Sequence, residues 1–219
     1  MAMTIRHHLT DPLLIAYAAG NLPEAFGLAI ATHVSMCDEC RARLCAFEAV
    51  GGAVVESLES VAMSDGSLEA VMTRASMVDR AAVPAAVRAR KLPGSVPSPL
   101  ADYVGSDFAA VKWRPLGMGV RQAILKTGPG ASARLLYIPA GQAMPDHGHR
   151  GMELTLVLQG AFSDAEDRFG PGDIEIATAD LEHTPVAEAG VACICLAVTD
   201  APLRFMGLIP RLLQPLFRI

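Results

Sequence analysis

The sequence predicts an α+β protein of two domains, a small four-helix bundle followed by an antiparallel β-sandwich or barrel. Three observations predict it. Helical signals, with caps and apolar positions three and four apart, fill the chain up to about residue 80. Residues 81–99 turn rich in Ala, Pro and Arg, and Pro84, Pro93, Pro97 and Pro99 forbid a long helix there. Beyond Pro99 come short apolar or alternating runs separated by glycine turns, which is the pattern of an all-β domain. The expected division is 1–85 helical, 86–100 linker and 101–219 strand-rich.

In the front half, Thr10-Asp11-Pro12 starts the first helix with a capping side chain followed by proline in the first turn. Leu13, Leu14 and Tyr17 form its apolar stripe, and Gly20-Asn21 ends it. Pro23-Glu24 opens a second helix that carries Phe26, Leu28 and Ile30 and reaches His33. A third runs from near Cys37 through Leu44, Phe47 and Val50, with an interruption expected at Gly51-Gly52. After a break at Ser64-Asp65-Gly66-Ser67, Ser67 caps a fourth, with Leu68, Val71 and Met72 on one face. In the back half, strands are expected at Val120–Lys126, Ala133–Ile138, Leu154–Leu158, Asp173–Ala177 and Val191–Val198. The apolar tail after Phe205 is expected to pack on the barrel or on another subunit.

Composition bounds the function. The 219 residues are 52% hydrophobic and 19% charged, so a packed core is within reach and wholesale disorder is excluded. A net charge of −5 argues against direct nucleic-acid binding, which calls for a basic face. Met1–Thr10 has no apolar run of a secretory signal, and no apolar stretch approaches a membrane span. The expected compartment is the cytoplasm, where five cysteines read as metal ligands or redox thiols rather than as a disulfide framework.

Two motifs carry chemistry. His33-Val34-Ser35-Met36-Cys37-Asp38-Glu39-Cys40 reads H-x3-C-x2-C. Residues three and four apart share a helix face, so His33, Cys37 and Cys40 can converge and supply three ligands of a tetrahedral zinc. The fourth ligand is sought at His7 or His8. A C-x2-C can also be a redox dithiol or an ordinary helix pair, but no strand precedes Cys37 as a thioredoxin-like motif requires. The second motif, from Gly141 to Gly160, reads G-x5-H-x-H-x3-E-x6-G, with His147, His149 and Glu153 in the named places. In a strand the two histidines face one side, and Glu153 returns on the next. Two imidazoles and a carboxylate suit zinc, iron, manganese or nickel. His183 is the histidine left to complete the set.

The Gly141–Gly160 stretch resembles the first motif of the cupin family, matching at every named position. The resemblance implies a jelly-roll barrel with metal ligands at His147, His149, Glu153 and His183. The second cupin motif is poorly kept, with Thr178, Asp180 and Ala187 where proline, glycine and asparagine are usual. An upstream histidine before H-x3-C-x2-C in a small helical bundle is similar to the zinc-binding anti-sigma domain. A domain of that kind joined to a cupin-like domain resembles the ChrR class of cytoplasmic anti-sigma factors, over nearly the full chain.

That resemblance implies a regulator without catalysis. It implies sequestration of a group IV (extracytoplasmic-function) sigma factor and its release under photo-oxidative stress such as singlet oxygen. Structural zinc is expected at His33, Cys37, Cys40 and His8, the last preferred over His7 because it lies closer to the Thr10 cap. Zinc or another divalent transition metal is expected at the cupin set. Candidates for gripping the sigma factor are Leu13, Leu14, Val54, Val55, Leu58, Leu68, Val71 and Met72. The competing reading is a metal-dependent cupin dioxygenase or isomerase, with Gln122, Arg134 and Tyr137 as possible substrate anchors. Cys193 and Cys195 are expected on one face of a strand and Cys45 in a helix core.

Overall fold

The structure, a computed structural model, describes residues 4–77, 96–179, 181–202 and 204–205. Its helices are α1 (Asp11–Ala18), α2 (Glu24–Met36), α3 (Asp38–Glu56), α4 (Ser67–Ser76) and α5 (Ser98–Val104). The strands that position the site are β2 (Val120–Ile124), β3 (Ser132–Ile138), β4 (His147–Gly148), β5 (Glu153–Gln159), β6 (Phe162–Ser163), β7 (Arg168–Phe169), β8 (Ile174–Ala177), β9 (Glu182–His183) and β11 (Cys193–Thr199). With β1 (Arg114–Gly117), β10 (Val186–Ala187) and β12 (Arg204–Phe205), they form antiparallel sheets among the described residues. The large sheet has the order β1-β2-β3-β11-β5-β8, and the small ones are β10-β6-β7 and β12-β4-β9. This is the expected helical front and antiparallel β back.

Alternation along the central strands sorts the large sheet into two faces. Leu135, Leu154, Leu156, Leu196 and Val198 face outward and join one apolar cluster with Leu14, Phe26 and Ile30 of the helices. Val157, Ile138, Cys193 and Cys195 face inward with Phe162 and Phe169. Helix α2 lies against β3, β5 and β11 on the outer face and against α1, α3 and α5 elsewhere. It is apolar nearly all round, as a helix enclosed on both sides must be, and its small Ala25 and Ala29 are wholly buried. Glu24 in its first turn faces the positive end of the helix dipole. The same carboxylate accepts bonds from the Tyr103 hydroxyl at 2.6 Å and the Gly128 N–H at 2.6 Å, tying α2 to α5 and to the β2–β3 loop.

Several local expectations need correction. Helix α3 runs unbroken through Gly51-Gly52, because good helix formers and Val54-Val55 on either side carry the ladder across them. Thr10 holds the N-cap position of α1 without a side-chain bond, and Ser67 is the first residue of α4, after Gly66 at φ 78°. Helix α4 buries none of its residues among the described residues. Leu13 and Leu14 are core residues of α1 and present no surface to a partner. Cys45 is exposed: α3 turns Cys40 and Leu44 inward, four apart, and Cys45 falls about 100° round the helix from Leu44. Most of the expected linker and the tail beyond Phe205 lie outside the described residues, as does Asp180.

The cupin-like motif ends on a glycine for a visible reason. Gly160 has φ +68°, and a Cβ there would sit 2.6 Å from the Ala192 carbonyl oxygen.

Candidate metal centres

The first cluster forms where α2 gives way to α3. Met36 ends α2, and Cys37 adopts an extended conformation (φ −111°, ψ 109°) as the N-cap of α3. Its Sγ accepts the Cys40 N–H at 3.4 Å, so the thiol sits at the helix N-terminus as an oxygen cap would. The break turns Cys37 and Cys40 toward His33 on the preceding helix. From the N-terminal segment His8 enters with Nδ1 at 3.3 Å from Cys37 Sγ and 3.7 Å from Cys40 Sγ. One ligand atom from each of His8, His33, Cys37 and Cys40 lies within 4.8 Å of all the others. His7, its neighbour, points away: its ring lies 4.3 Å from that of Phe169, with Nε2 3.0 Å from Asp167 Oδ2.

The second nitrogen of each imidazole has its own partner. His33 Nδ1–H donates to the Gly172 carbonyl at 2.9 Å, and His8 Nε2 faces Glu39 Oε2 at 3.3 Å. His33 Nε2 is buried with no hydrogen-bond partner among the described residues. A buried ring nitrogen aimed at two thiols, with its other nitrogen pinned to a carbonyl, is the arrangement of a metal-ligating histidine. Burial holds the His33 pKa down to about 4 and pushes the Cys40 thiol up to about 11. The first keeps the imidazole neutral and ready to ligate. The second means a cation is needed to keep the thiolate there.

The second cluster lies inside the barrel. His147 and His183 are register partners across β4 and β9, and His149 follows at the end of β4. Ring centroids of His147, His149 and His183 are 4.8 to 5.4 Å apart, and their ligand atoms converge within 4.8 Å. Glu153, at the start of β5, stands beside this trio with Oε2 3.6 Å from His149 Nδ1. Its Oε1 accepts the Thr155 hydroxyl at 3.1 Å, and burial pushes its pKa up to about 7. His147 Nδ1–H donates to the Pro145 carbonyl at 2.9 Å. Both nitrogens of His149 and Nε2 of His183 are buried without hydrogen-bond partners among the described residues, so the donor set fits a cation.

Sequence reasoning missed the groups behind His183. Its Nδ1 donates to Asp164 Oδ2 at 2.8 Å and faces Glu175 Oε1 at 3.2 Å. Burial alone would lower its pKa, but Glu175 and Asp164 outweigh it and raise the value to about 9. Glu175 was legible in Ile174-Glu175-Ile176, where the outward isoleucines put the glutamate inside. Asp164 comes from the β6–β7 turn and has no local signal. A cavity of about 80 Å³ adjoins the trio, lined by Arg134, Leu136, Met144, Phe162 and Cys195 among others. Arg134 is buried in its wall and donates to Gln122 at 3.2 Å. Tyr137 points elsewhere, stacked edge-on with Trp113 at 5.9 Å.

Comparison with known proteins gives the family of the chain. Residues 102–201 match the family described as ChrR Cupin-like domain. Over 217 residues, 99% of this chain and 100% of the relative, the sequence is 62% identical to anti-sigma-E factor ChrR of Cereibacter sphaeroides. The chain belongs to the ChrR family of anti-sigma factors. The relative is named for a regulatory role, that of an anti-sigma factor. The crystal structure of Rhodobacter sphaeroides SigE in complex with the anti-sigma ChrR matches at a TM-score of 0.79 and 61% identity. That match covers 90% of this chain and 99% of the other. Among the described residues the chain brings together one helical group that can hold a metal ion and, in the barrel, two that share His183: His147, His149 and His183, and Asp164, Glu175 and His183. No helix among the described residues is long and apolar enough to cross a membrane.

Proposed function

We propose that this chain is a cytoplasmic anti-sigma factor that sequesters a group IV sigma factor through its helical half. The observation that carries the reading is an apolar surface that no other described residue covers. From residue 48 onward α3 is exposed along its length, and α4 is exposed too apart from Ser67. Val54, Val55, Leu58, Leu68, Val71 and Met72 are all more than half exposed, joined by Val50, Val61 and Met63. A monomer rarely leaves so many large apolar side chains of neighbouring segments in water. Burying it against a partner removes that cost at roughly 25 cal/mol per Å², before the ordering costs of association. The related ChrR is seen bound to SigE, and a sigma factor is the occupant we assign here. Sequestration occludes the surfaces that the sigma factor would offer to RNA polymerase.

In this reading residues 1–85 are the anti-sigma domain, 86–100 the linker and 101–219 the cupin-like sensor. The set His8, His33, Cys37 and Cys40 holds zinc, because two sulfurs and two imidazoles in a closed tetrahedral set suit that ion. Its role is structural: it ties the N-terminal segment to the junction of α2 and α3, and metal-binding free energy becomes folding free energy. His147, His149 and His183, with Glu153 beside them, hold zinc or another divalent transition metal. Bound there, that ion would supply Lewis-acid or redox chemistry. Release under photo-oxidative stress, with singlet oxygen as the signal, is assigned to this half, where Met144 and Cys195 offer oxidisable sulfur beside the imidazoles.

The test is capture from native cytosol by the tagged chain, followed by metal analysis. The wild type should recover a group IV sigma factor and carry a tightly held zinc, and Cys37→Ala/Cys40→Ala should lose both. Recovery of no sigma factor by the wild type would sink the proposal.

A further inference from the structure

We infer that Asp173 and the Gly170–Asp173 turn of the barrel are positioning elements of the helical metal cluster. Both nitrogen ligands of that cluster are oriented by this one turn. Asp173 Oδ1 accepts the N–H groups of Arg6 at 2.6 Å and His7 at 3.0 Å, and Ile174 N–H donates back to the His7 carbonyl at 3.4 Å. These bonds hold the backbone that delivers His8. One residue before Asp173, the Gly172 carbonyl takes the Nδ1–H of His33 at 2.9 Å and so aims Nε2 at the thiols. The two sulfur ligands need no such help, since the Cys37 cap and the first turn of α3 place them locally. The cluster is therefore split: its sulfur ligands come from the helices alone, and its imidazoles are set by a barrel turn more than a hundred residues away.

A carboxylate is required at this position. Asp173 receives a third N–H, from Gly170 to Oδ2 at 2.8 Å, so both oxygens must accept. Asparagine offers one acceptor, and its amide nitrogen would face a donor on either placement. Aspartate is 3% exposed here. Burial penalises its charge, but the backbone donors more than offset this and hold the pKa below the usual carboxylate range. The turn does not serve the helical cluster alone. Two residues on, β8 carries Glu175, which faces the Nδ1 of His183 in the barrel cluster at 3.2 Å.

The inference rests on the helical cluster's binding a metal, and the experiment separates the two. Full-length protein is stripped of metal and titrated with Co²⁺, and the thiolate-to-cobalt absorption reports the Cys37–Cys40 site. Affinity is measured for wild type, Asp173→Asn and Arg6→Pro. The last deletes the 2.6 Å bond without touching the barrel, so it stays informative if Asp173→Asn folds poorly. Both variants should bind cobalt about tenfold or more weakly at this site, the usual loss when an outer partner of a metal ligand is removed. Asp167→Asn, which meets the His7 ring and the Arg168 N–H but neither Asp173 nor a ligand of the cluster, should bind as wild type does. Affinities within twofold of wild type in both variants, or a lowered melting temperature with unchanged affinity, would overturn the positioning role. A wild type without a thiolate–cobalt band would overturn the metal reading itself.

Discussion

His33 shows how much depends on one side chain. It is wholly buried, it donates through Nδ1 to Gly172, and it keeps Nε2 for a metal. Its pKa falls from about 6.5 in the unfolded chain to about 4 in the fold, chiefly because burial penalises the cation. Between those values the unfolded chain binds more protons, so stability falls as pH drops from about 6.5 to about 4, by roughly 3 kcal/mol at most for this group. Protons compete with metal in the same direction. Thermal unfolding of chelator-treated protein across that window should show the slope, and His33→Gln should flatten it. At the same scale His8→Ala should abolish the thiolate–metal site and His7→Ala should keep it, read by zinc content after dialysis. The sequence alone could not separate these neighbours by chemistry. Adjacent residues of a non-helical segment point to different sides, and only the fold puts Phe169 and Asp167 under one and the thiols under the other.

Helices α1 and α3 carry similar apolar stripes and opposite fates. Leu14 is wholly buried, while Leu58, just past the end of α3, is 67% exposed. Periodicity reports which residues share a face but not whether anything covers that face, which is why Leu13 and Leu14 read as surface candidates alongside Val55 and Val71. Leu14→Ala should cost about 2–5 kcal/mol by the cavity it opens. Val55→Asp with Val71→Asp should leave unfolding free energy within about 0.5 kcal/mol per site while weakening sigma-factor capture at least tenfold. Denaturant titration beside a binding titration separates the two outcomes. The run of α3 through Gly51-Gly52 gives another expectation. A Cβ at Gly51 meets nothing within 4 Å, so Gly51→Ala should stabilise the helix by about 0.5–1 kcal/mol, seen as a higher unfolding midpoint. The strands were the most legible elements, because alternation between inward Glu153, Thr155 and Val157 and outward Leu154, Leu156 and Leu158 is a two-residue pattern that tertiary context does not hide.

In the whole molecule the change of composition near residue 90 marks where the chain changes character, but not where packing stops. Helix α2 is enclosed by a sheet whose strands lie a hundred and more residues further on, and one apolar cluster joins them. Nothing local in the sequence encodes that contact, nor the bonds from residues 6, 7 and 33 to the Gly170–Asp173 turn. Their consequence is energetic coupling. Glu175 on β8 faces His183, so filling or emptying the barrel cluster bears on the strand that directly follows the turn holding His8 and His33 in place. Coupling between two binding sites is reciprocal: if metal in the barrel tightens the helical site by some factor, metal in the helical site tightens the barrel by the same factor. A coupling of 1–3 kcal/mol, about 5–150-fold, is the ordinary range. His147→Ala/His149→Ala should therefore shift Co²⁺ affinity at the thiolate site by about fivefold or more while leaving every helical residue intact. Sigma-factor capture by this double variant should persist, because the apolar surface of α3 and α4 does not depend on the barrel metal, and its release by singlet oxygen should fail. An unchanged cobalt affinity with normal release would show that the two halves share a core but not a signal.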